Sequence, residues 1–190
     1  MPHFKKVEGK KVYLSPIDQN DAAQYAKWLN DLLTSINLTV APQVLSLEQE
    51  RSILEEMAKS GYHFSIVRRD DDGLVGNCSL MSVDLIQGSG ELGVFIGDEE
   101  NRGKGYGGEA VRLILSYAFD LLNLHSVYLR VRSFNENAAG LYKKLGFKEI
   151  GRRRECVLVA GTYYDEIYMD ILDREFRENY GRITRDLKGF

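Results

Sequence analysis

Residues Arg102-Gly103-Lys104-Gly105-Tyr106-Gly107 form a basic, glycine-rich turn directly before an amphipathic stretch, and a turn of that kind is suited to a pyrophosphate. Glycine lacks a Cβ and reaches positive φ, so consecutive N–H groups can face one anion and approach it closely. A helix that starts there adds its own unpaired N–H groups and the positive end of its dipole. Behind the turn, Ala110, Val111, Ile114, Leu115 and Ala118 recur at helical spacing, whereas Leu92, Val94 and Ile96 alternate before it as a strand does. The turn therefore sits at a strand-to-helix junction.

The same stretch contains Gly103-x-Gly105-x-x-Gly108, the spacing of a dinucleotide-binding fingerprint. That fingerprint requires an acidic residue about 20 positions on, where it meets a ribose hydroxyl. Here the next strand, near Val127 to Val131, is flanked by Arg130 and Arg132, and no Gly-x-x-x-x-Gly-Lys-Ser/Thr phosphate loop occurs in the chain. A nicotinamide-dependent oxidoreductase is accordingly the weakest of the functional classes.

The 45 residues after the turn carry more information. A strand over 126–132 is followed by Asn135, by Tyr142 seven residues later, and by Leu145-Gly146-Phe147 closing a helix. This order resembles the GNAT superfamily of N-acetyltransferases. Glu91 on the preceding strand and Gly161-Thr162-Tyr163-Tyr164-Asp165 between the last two strands are similar to the subgroup containing ribosomal-protein N-terminal acetyltransferases and spermidine acetyltransferases. The likeness is dense over about residues 74–172 and thin before them.

The resemblance implies acetyl-CoA as cosubstrate and direct transfer of its acetyl group to a primary amine. Arg102, Gly103, Lys104, Gly105, Tyr106 and Gly107 would then hold the pyrophosphate. Backbone groups near Phe95, Ile96 and Gly97 would pair with the pantetheine arm as a strand-like segment, and one N–H there would polarise the thioester. Tyr142 is the expected general acid for the leaving thiolate, since a phenol of pKa about 10 stays protonated where a thiol of about 8.5 begins to ionise. Glu91 is the expected general base, with pairing to an arginine as its competing use. Asn135 is expected beside the cofactor, and Asn is equally a favoured helix N-cap.

The acceptor is expected to be a protein N-terminal α-amine. Small-molecule amines such as polyamines, amino sugars or aminoglycosides are the alternative, and a non-catalytic acyl-CoA-binding protein is the third reading. Polyamine enzymes of the subgroup place an acidic residue between the first two helices, and residues 34–46 contain none.

Composition sets the outer bounds. The 190 residues are expected to fold as one domain, with 44% hydrophobic residues to build its core. The net charge of -3 divides into -7 over residues 1–101, +7 over 102–154 and -3 over 155–190, so the segment holding the glycine turn suits a ligand with several phosphates. An acidic total without a basic stripe interleaved by aromatics argues against nucleic acid. No apolar run is long enough for a membrane span and no apolar leader is visible, which gives a cytoplasmic expectation. Cys78 and Cys156 are expected as buried reduced thiols, and His3, His63 and His125 are too scattered for a metal site.

The elements that must position these residues follow from periodicity. Strands are expected near 12–14, 62–68, 74–83, 91–96, 126–132 and as a final hairpin over 148–172. Helices are expected over 22–33, 47–59, the stretch after Gly107, 136–145 and 173–180, with turns at 70–73 and 87–90. The fold class is α/β, a GNAT-like mixed and mostly antiparallel sheet of about seven strands with helices on both faces. Tyr163, Tyr164 and Tyr168 on the last hairpin are candidates for a homodimer surface.

Overall fold

In the computed structural model the strands of the chain are β1 (Val7–Glu8), β2 (Val12–Pro16), β3 (His63–Arg68), β4 (Leu74–Asp84), β5 (Ser89–Ile96), β6 (Ser126–Arg132), β7 (Lys148–Val159) and β8 (Thr162–Leu172). Among the described residues six α-helices accompany them: α1 (Ala22–Asn30), α2 (Leu32–Ser35), α3 (Leu47–Ser60), α4 (Tyr106–Asp120), α5 (Glu136–Lys144) and α6 (Asp173–Tyr180). The structure describes residues 3–38 and 42–182, so part of the segment 34–46 lies outside it. The sheet has eight strands in the order β1-β2-β3-β4-β5-β6-β8-β7, one more than expected. The extra strand is β1, whose two residues are too few to show a period of two.

The chain divides into two compact units, residues 1–79 with 93–114 and residues 80–92 with 115–190. In the first unit, Val12, Tyr13, Leu14 and Ser15 of β2 are all buried, as expected of a strand covered on both faces. Val67 and Val75 join them, as do Ala110, Val111 and Ile114 of α4. A second apolar cluster, Ile17, Ala22, Tyr25, Trp28 and Leu54, packs against Met57, Leu74 and Phe95. The helix expected over 22–33 is broken at Asp31, which is extended at φ -79°, ψ 116°. Its carboxylate accepts from the N–H groups of Leu33 (3.3 Å) and Thr34 (3.1 Å), so the aspartate ends one helix by capping the next.

In the second unit, Val127, Leu129 and Val131 of β6 are buried and stand opposite Ile171, Met169 and Ile167 of β8 in the antiparallel register. Alternation on both strands thus delivers one apolar face. β7 is exposed along most of its length and carries Arg152, Arg153 and Arg154, charges that discourage an edge strand from pairing further. Cys78 is buried and Cys156 half-exposed, both unpaired, which corrects the expectation of two buried thiols.

One buried carboxylate ties the start of α4 to the other end of the first unit's sequence. Glu109, 6% exposed, accepts from the backbone N–H groups of Lys10 (2.7 Å), Lys11 (2.7 Å) and Val12 (3.0 Å) in and after the β1–β2 turn. Gly9 permits this approach, because a Cβ there would stand 2.8 Å from the Val12 carbonyl oxygen and 2.9 Å from Glu109 Cδ. Hydrogen bonds to a charged acceptor contribute about 1.5–3 kcal/mol each and leave donors unsatisfied when lost. Glu109→Ala is therefore expected to lower unfolding stability by about 3 kcal/mol or more. Urea denaturation checks this, and a loss under about 1 kcal/mol would mean that water replaces the carboxylate.

Candidate active site

β5 ends at Ile96, and the chain then runs through Gly97, a 3-10 turn over Glu99–Asn101, and the loop to the first residue of α4. Gly103 and Gly105 take φ of +72° and +89°, the left-handed region that glycine alone enters without strain. The N–H groups of residues 103 to 108 donate to no protein acceptor among the described residues. Gly103, Lys104 and Gly105 are exposed, so this run of donors faces solvent at the N-terminal end of a fifteen-residue helix. A diphosphate fits such a cradle because the donors are already free and the dipole favours negative charge.

The loop is pinned rather than loose. Arg102 donates through its guanidinium to Thr34 Oγ1 and to the Gly97 carbonyl, both at 3.0 Å. Its side chain is thereby spent on fixing the loop base, leaving the backbone as the candidate anion ligand. On the far side, Lys11 Nζ donates to the Lys104 carbonyl at 2.8 Å. Trp28 packs closely on Gly97, where a Cβ would come within 2.1 Å of Cδ2 and Cε2. The same indole meets Tyr25 and Phe95 edge-on, with centroids at 5.4 and 6.0 Å.

Phe95, Ile96 and Gly97 lie with the loop in the first unit. The N–H of Gly97 is already donated to the Val75 carbonyl at 2.9 Å, so it is not free to polarise a thioester. The parallel ladder of β5 with β6 covers Ser89, Gly90 and Glu91 only. From Gly93 onward no ladder between β5 and β6 is present among the described residues, which gives the end of β5 a free edge.

Glu91, Asn135 and Tyr142 belong to the second unit. Glu91 is 9% exposed, and its Oε1 accepts from Arg130 Nε at 2.7 Å. Tyr128 donates a longer bond of 3.4 Å to Oε2, and Arg130 also approaches Glu166 at 3.7 Å. Of the two uses expected for Glu91, the arginine pair is thus present. Its carboxylate raises the pKa of the Arg130 guanidinium through that hydrogen bond. Asn135 is the N-cap of α5, its Oδ1 accepting from Ala138 N at 3.1 Å.

Tyr142 is held by the end of the helix that carries it. Gly146 at φ +102° donates to the Lys143 carbonyl (3.1 Å) and Phe147 donates to the Tyr142 carbonyl (3.0 Å), the paired bonds of a Schellman motif. The apolar contact of that motif is the Tyr142–Phe147 ring pair, with centroids at 5.7 Å. Leu145-Gly146-Phe147 is therefore a helix stop that also fixes the tyrosine. Burial pushes the Tyr142 phenol up to about 12, and its hydroxyl makes no hydrogen bond among the described residues. It is a neutral donor without a partner.

Two buried carboxylates escaped the sequence reading. Glu109 has no local signature beyond an acid in the first turn of a helix. Glu50 is 1% exposed with Oε2 unpartnered, and burial raises its carboxyl above the usual range. Its position one turn before the buried Leu54 is the signal that marks its face as inward. Among the described residues no group of His, Cys, Asp and Glu is arranged to hold a metal ion, and no helix is long and apolar enough to cross a membrane.

An α/β sheet with a glycine cradle between a strand end and a helix start suits a ligand that carries a diphosphate, and comparison with known proteins gives the family. Residues 11–148 match the family described as acetyltransferase (GNAT) domain. The chain belongs to this family and is an N-acetyltransferase. It is 30% identical over 171 residues to an N-acetyltransferase 9-like protein of Caenorhabditis elegans, covering 77% of this chain and 79% of that protein. It is 33% identical over 128 residues to spermidine N(1)-acetyltransferase of Vibrio cholerae, covering 65% of this chain and 73% of that protein. The crystal structure of spermidine N-acetyltransferase from Vibrio cholerae in complex with CoA and spermine superposes with a TM-score of 0.79 at 25% identity, covering 88% of this chain and 99% of that one.

The raised phenol yields a pH prediction. Because the folded pKa of Tyr142 lies above the usual value near 10, the stability associated with its neutral form is intact below about pH 10. That contribution is lost as pH rises toward 12. Tyr142→Phe is expected to flatten, without abolishing, the fall in unfolding free energy over this window, since Tyr13 is also pushed up to about 12. Chemical denaturation at several alkaline pH values checks it; an unaltered slope would show that Tyr142 ionises no later in the folded chain than in the unfolded one.

Proposed function

We propose that the chain transfers the acetyl group of acetyl-CoA directly to the α-amine of a protein N-terminus. The observation that carries the cosubstrate is the run of unpaired N–H groups over residues 103–108 beside the free edge of β5. Acetyl-CoA supplies an activated thioester. The backbone of residues 103 to 107 holds the diphosphate, while Phe95 and Ile96 offer backbone groups along the β5 edge to the extended arm. Asn135, whose Oδ1 caps α5 and whose Nδ2 is left to donate, takes the cofactor role that the resemblance implies.

In the transfer the neutral amine nitrogen bonds to the carbonyl carbon and the carbon–sulfur bond breaks. Tyr142 gives its proton to the departing sulfur, the acylated nitrogen releases one proton to solvent, and the phenolate takes one back from solvent. A phenol held neutral to about pH 12 is a reservoir for the first of these protons. Holding both reactants in contact is worth more, since well-oriented partners recover about 7–11 kcal/mol of a barrier.

Glu91 is assigned to position rather than to base chemistry, because its carboxylate already neutralises Arg130. The lack of a carboxylate in residues 34–46 supports an α-amine over a polycation. The similarity to a spermidine acetyltransferase favours a second reading, in which a polyamine is the acceptor. Glu50 is then the nearest buried acid on the helix after that segment.

Tyr142→Phe is expected to retain CoA affinity and lower turnover by about a hundredfold, the scale of a positioned acid; unchanged single-turnover rates would reduce the hydroxyl to packing. Glu91→Gln is expected to leave the shape of the pH–rate profile as it is, and a selective loss at low pH would restore the glutamate as base. Peptides with free N-termini should be acetylated with saturation, and turnover of spermidine with none on peptides would transfer the assignment to the polyamine.

A further inference from the structure

On the β1–β2 side of the glycine loop lies a depression of about 770 Å³. Its floor is the loop itself, through Gly103, Lys104 and Tyr106, and its walls are Lys10, Lys11 and Arg69. Four cations therefore surround a space that contains a single acidic wall residue, Asp70. Two of the four are committed to the frame, Lys11 by its bond to the Lys104 carbonyl and Arg69 by a bond of 2.9 Å to the Gly9 carbonyl. Arg69 also approaches Glu8 at 3.8 Å. The ammonium groups of Lys10 and Lys104 have no partner among the described residues.

The frame is fixed from beneath. Lys10 and Lys11 donate their backbone N–H groups to the buried Glu109, which sets the β1–β2 turn against the first turn of α4. The lysine side chains on that turn are thus held at the mouth of the loop, whose neutral backbone donors serve a diphosphate. Uncommitted cations beside such a cradle suit a further phosphate on the same ligand, and they suit a doubly charged monoester better than a neutral group.

We propose that this depression is the subsite for the 3′-phosphomonoester of coenzyme A, with the side chain of Lys10 as its principal contact and Lys104 and Arg69 around it. The inference rests on the loop binding the diphosphate. Coenzyme A carries its monoester one ribose away from the diphosphate, so a single ligand spans both features. The pairing is exposed, and its contribution is screened by salt within a Debye length of about 8–10 Å.

The test is the dissociation constant, by calorimetry, of CoA and of 3′-dephospho-CoA for the parent chain, Lys10→Ala and Lys10→Glu. The parent is expected to bind CoA at least tenfold more tightly than the dephospho form, a difference of about 1.4 kcal/mol. That ratio should shrink in Lys10→Ala, vanish in Lys10→Glu, and narrow in the parent as salt is raised, with dephospho-CoA losing less affinity than CoA in each case. Equal affinity of the parent for both ligands, or an undiminished ratio in both variants, would overturn the subsite and leave the acetyl-CoA reading standing. Failure of the parent to bind either ligand would overturn that reading and the subsite with it.

Discussion

Backbone donors that are to bind an anion must be kept from every acceptor the protein itself could offer, and the first unit is organised around that constraint. Residues 103 to 108 lack internal partners, which for a buried segment would be a defect. Here the segment faces solvent, and its neighbours hold it open. Arg102 ties the near end to Gly97 and Thr34, Lys11 ties the middle through the Lys104 carbonyl, and Glu109 ties the first turn of α4 to the β1–β2 turn. Each pin uses a charged side chain, against backbone everywhere but at Thr34 Oγ1, so each is stronger than a neutral hydrogen bond and fixes the loop without using the donors themselves.

The second unit solves a different problem, that of holding Tyr142, the proposed acid, in place. Tyr142 is immobilised by backbone bonds from Gly146 and Phe147 and by the Phe147 ring, none of which touches its hydroxyl. A hydrogen bond donated by the hydroxyl would hold the ring as well, yet it would compete with proton donation. Burial does the remaining work by disfavouring the phenolate.

Local features were legible in the chain. The glycine turn, the helix after it and the Tyr142 to Phe147 frame are written in short-range spacing, and the structure places each as its periodicity implies. What was not legible depends on partners far along the sequence. Glu109 bonds to residues almost a hundred positions earlier, and a glutamate in the first turn of a helix looks like ordinary dipole compensation. Arg102 reads as part of an anion site by its charge, yet Gly97 and Thr34 claim its guanidinium. The two-residue strand β1 and the break at Asp31 escape for the opposite reason, since they are too short or too local for any period to register.

The pairing of Glu91 with Arg130 bears on the choice of acceptor. If no strong base serves the site, the amine must arrive neutral, and the fraction that does so depends on its own basicity. At pH 7 an α-amine of pKa near 8 is neutral in about one molecule in ten, whereas an alkyl amine near 10.4 is neutral in about one in 2,500. The gap of about 2.4 pKa units is roughly 3.3 kcal/mol that a polyamine enzyme must recover by desolvation or by a nearby carboxylate. Glu91 is compensated by a guanidinium and Glu50 is buried away from solvent, so neither is presented as that carboxylate. Neither Glu91 nor Glu50 thus argues for a polyamine over the proposed α-amine, even though the sequence is similar to a spermidine enzyme.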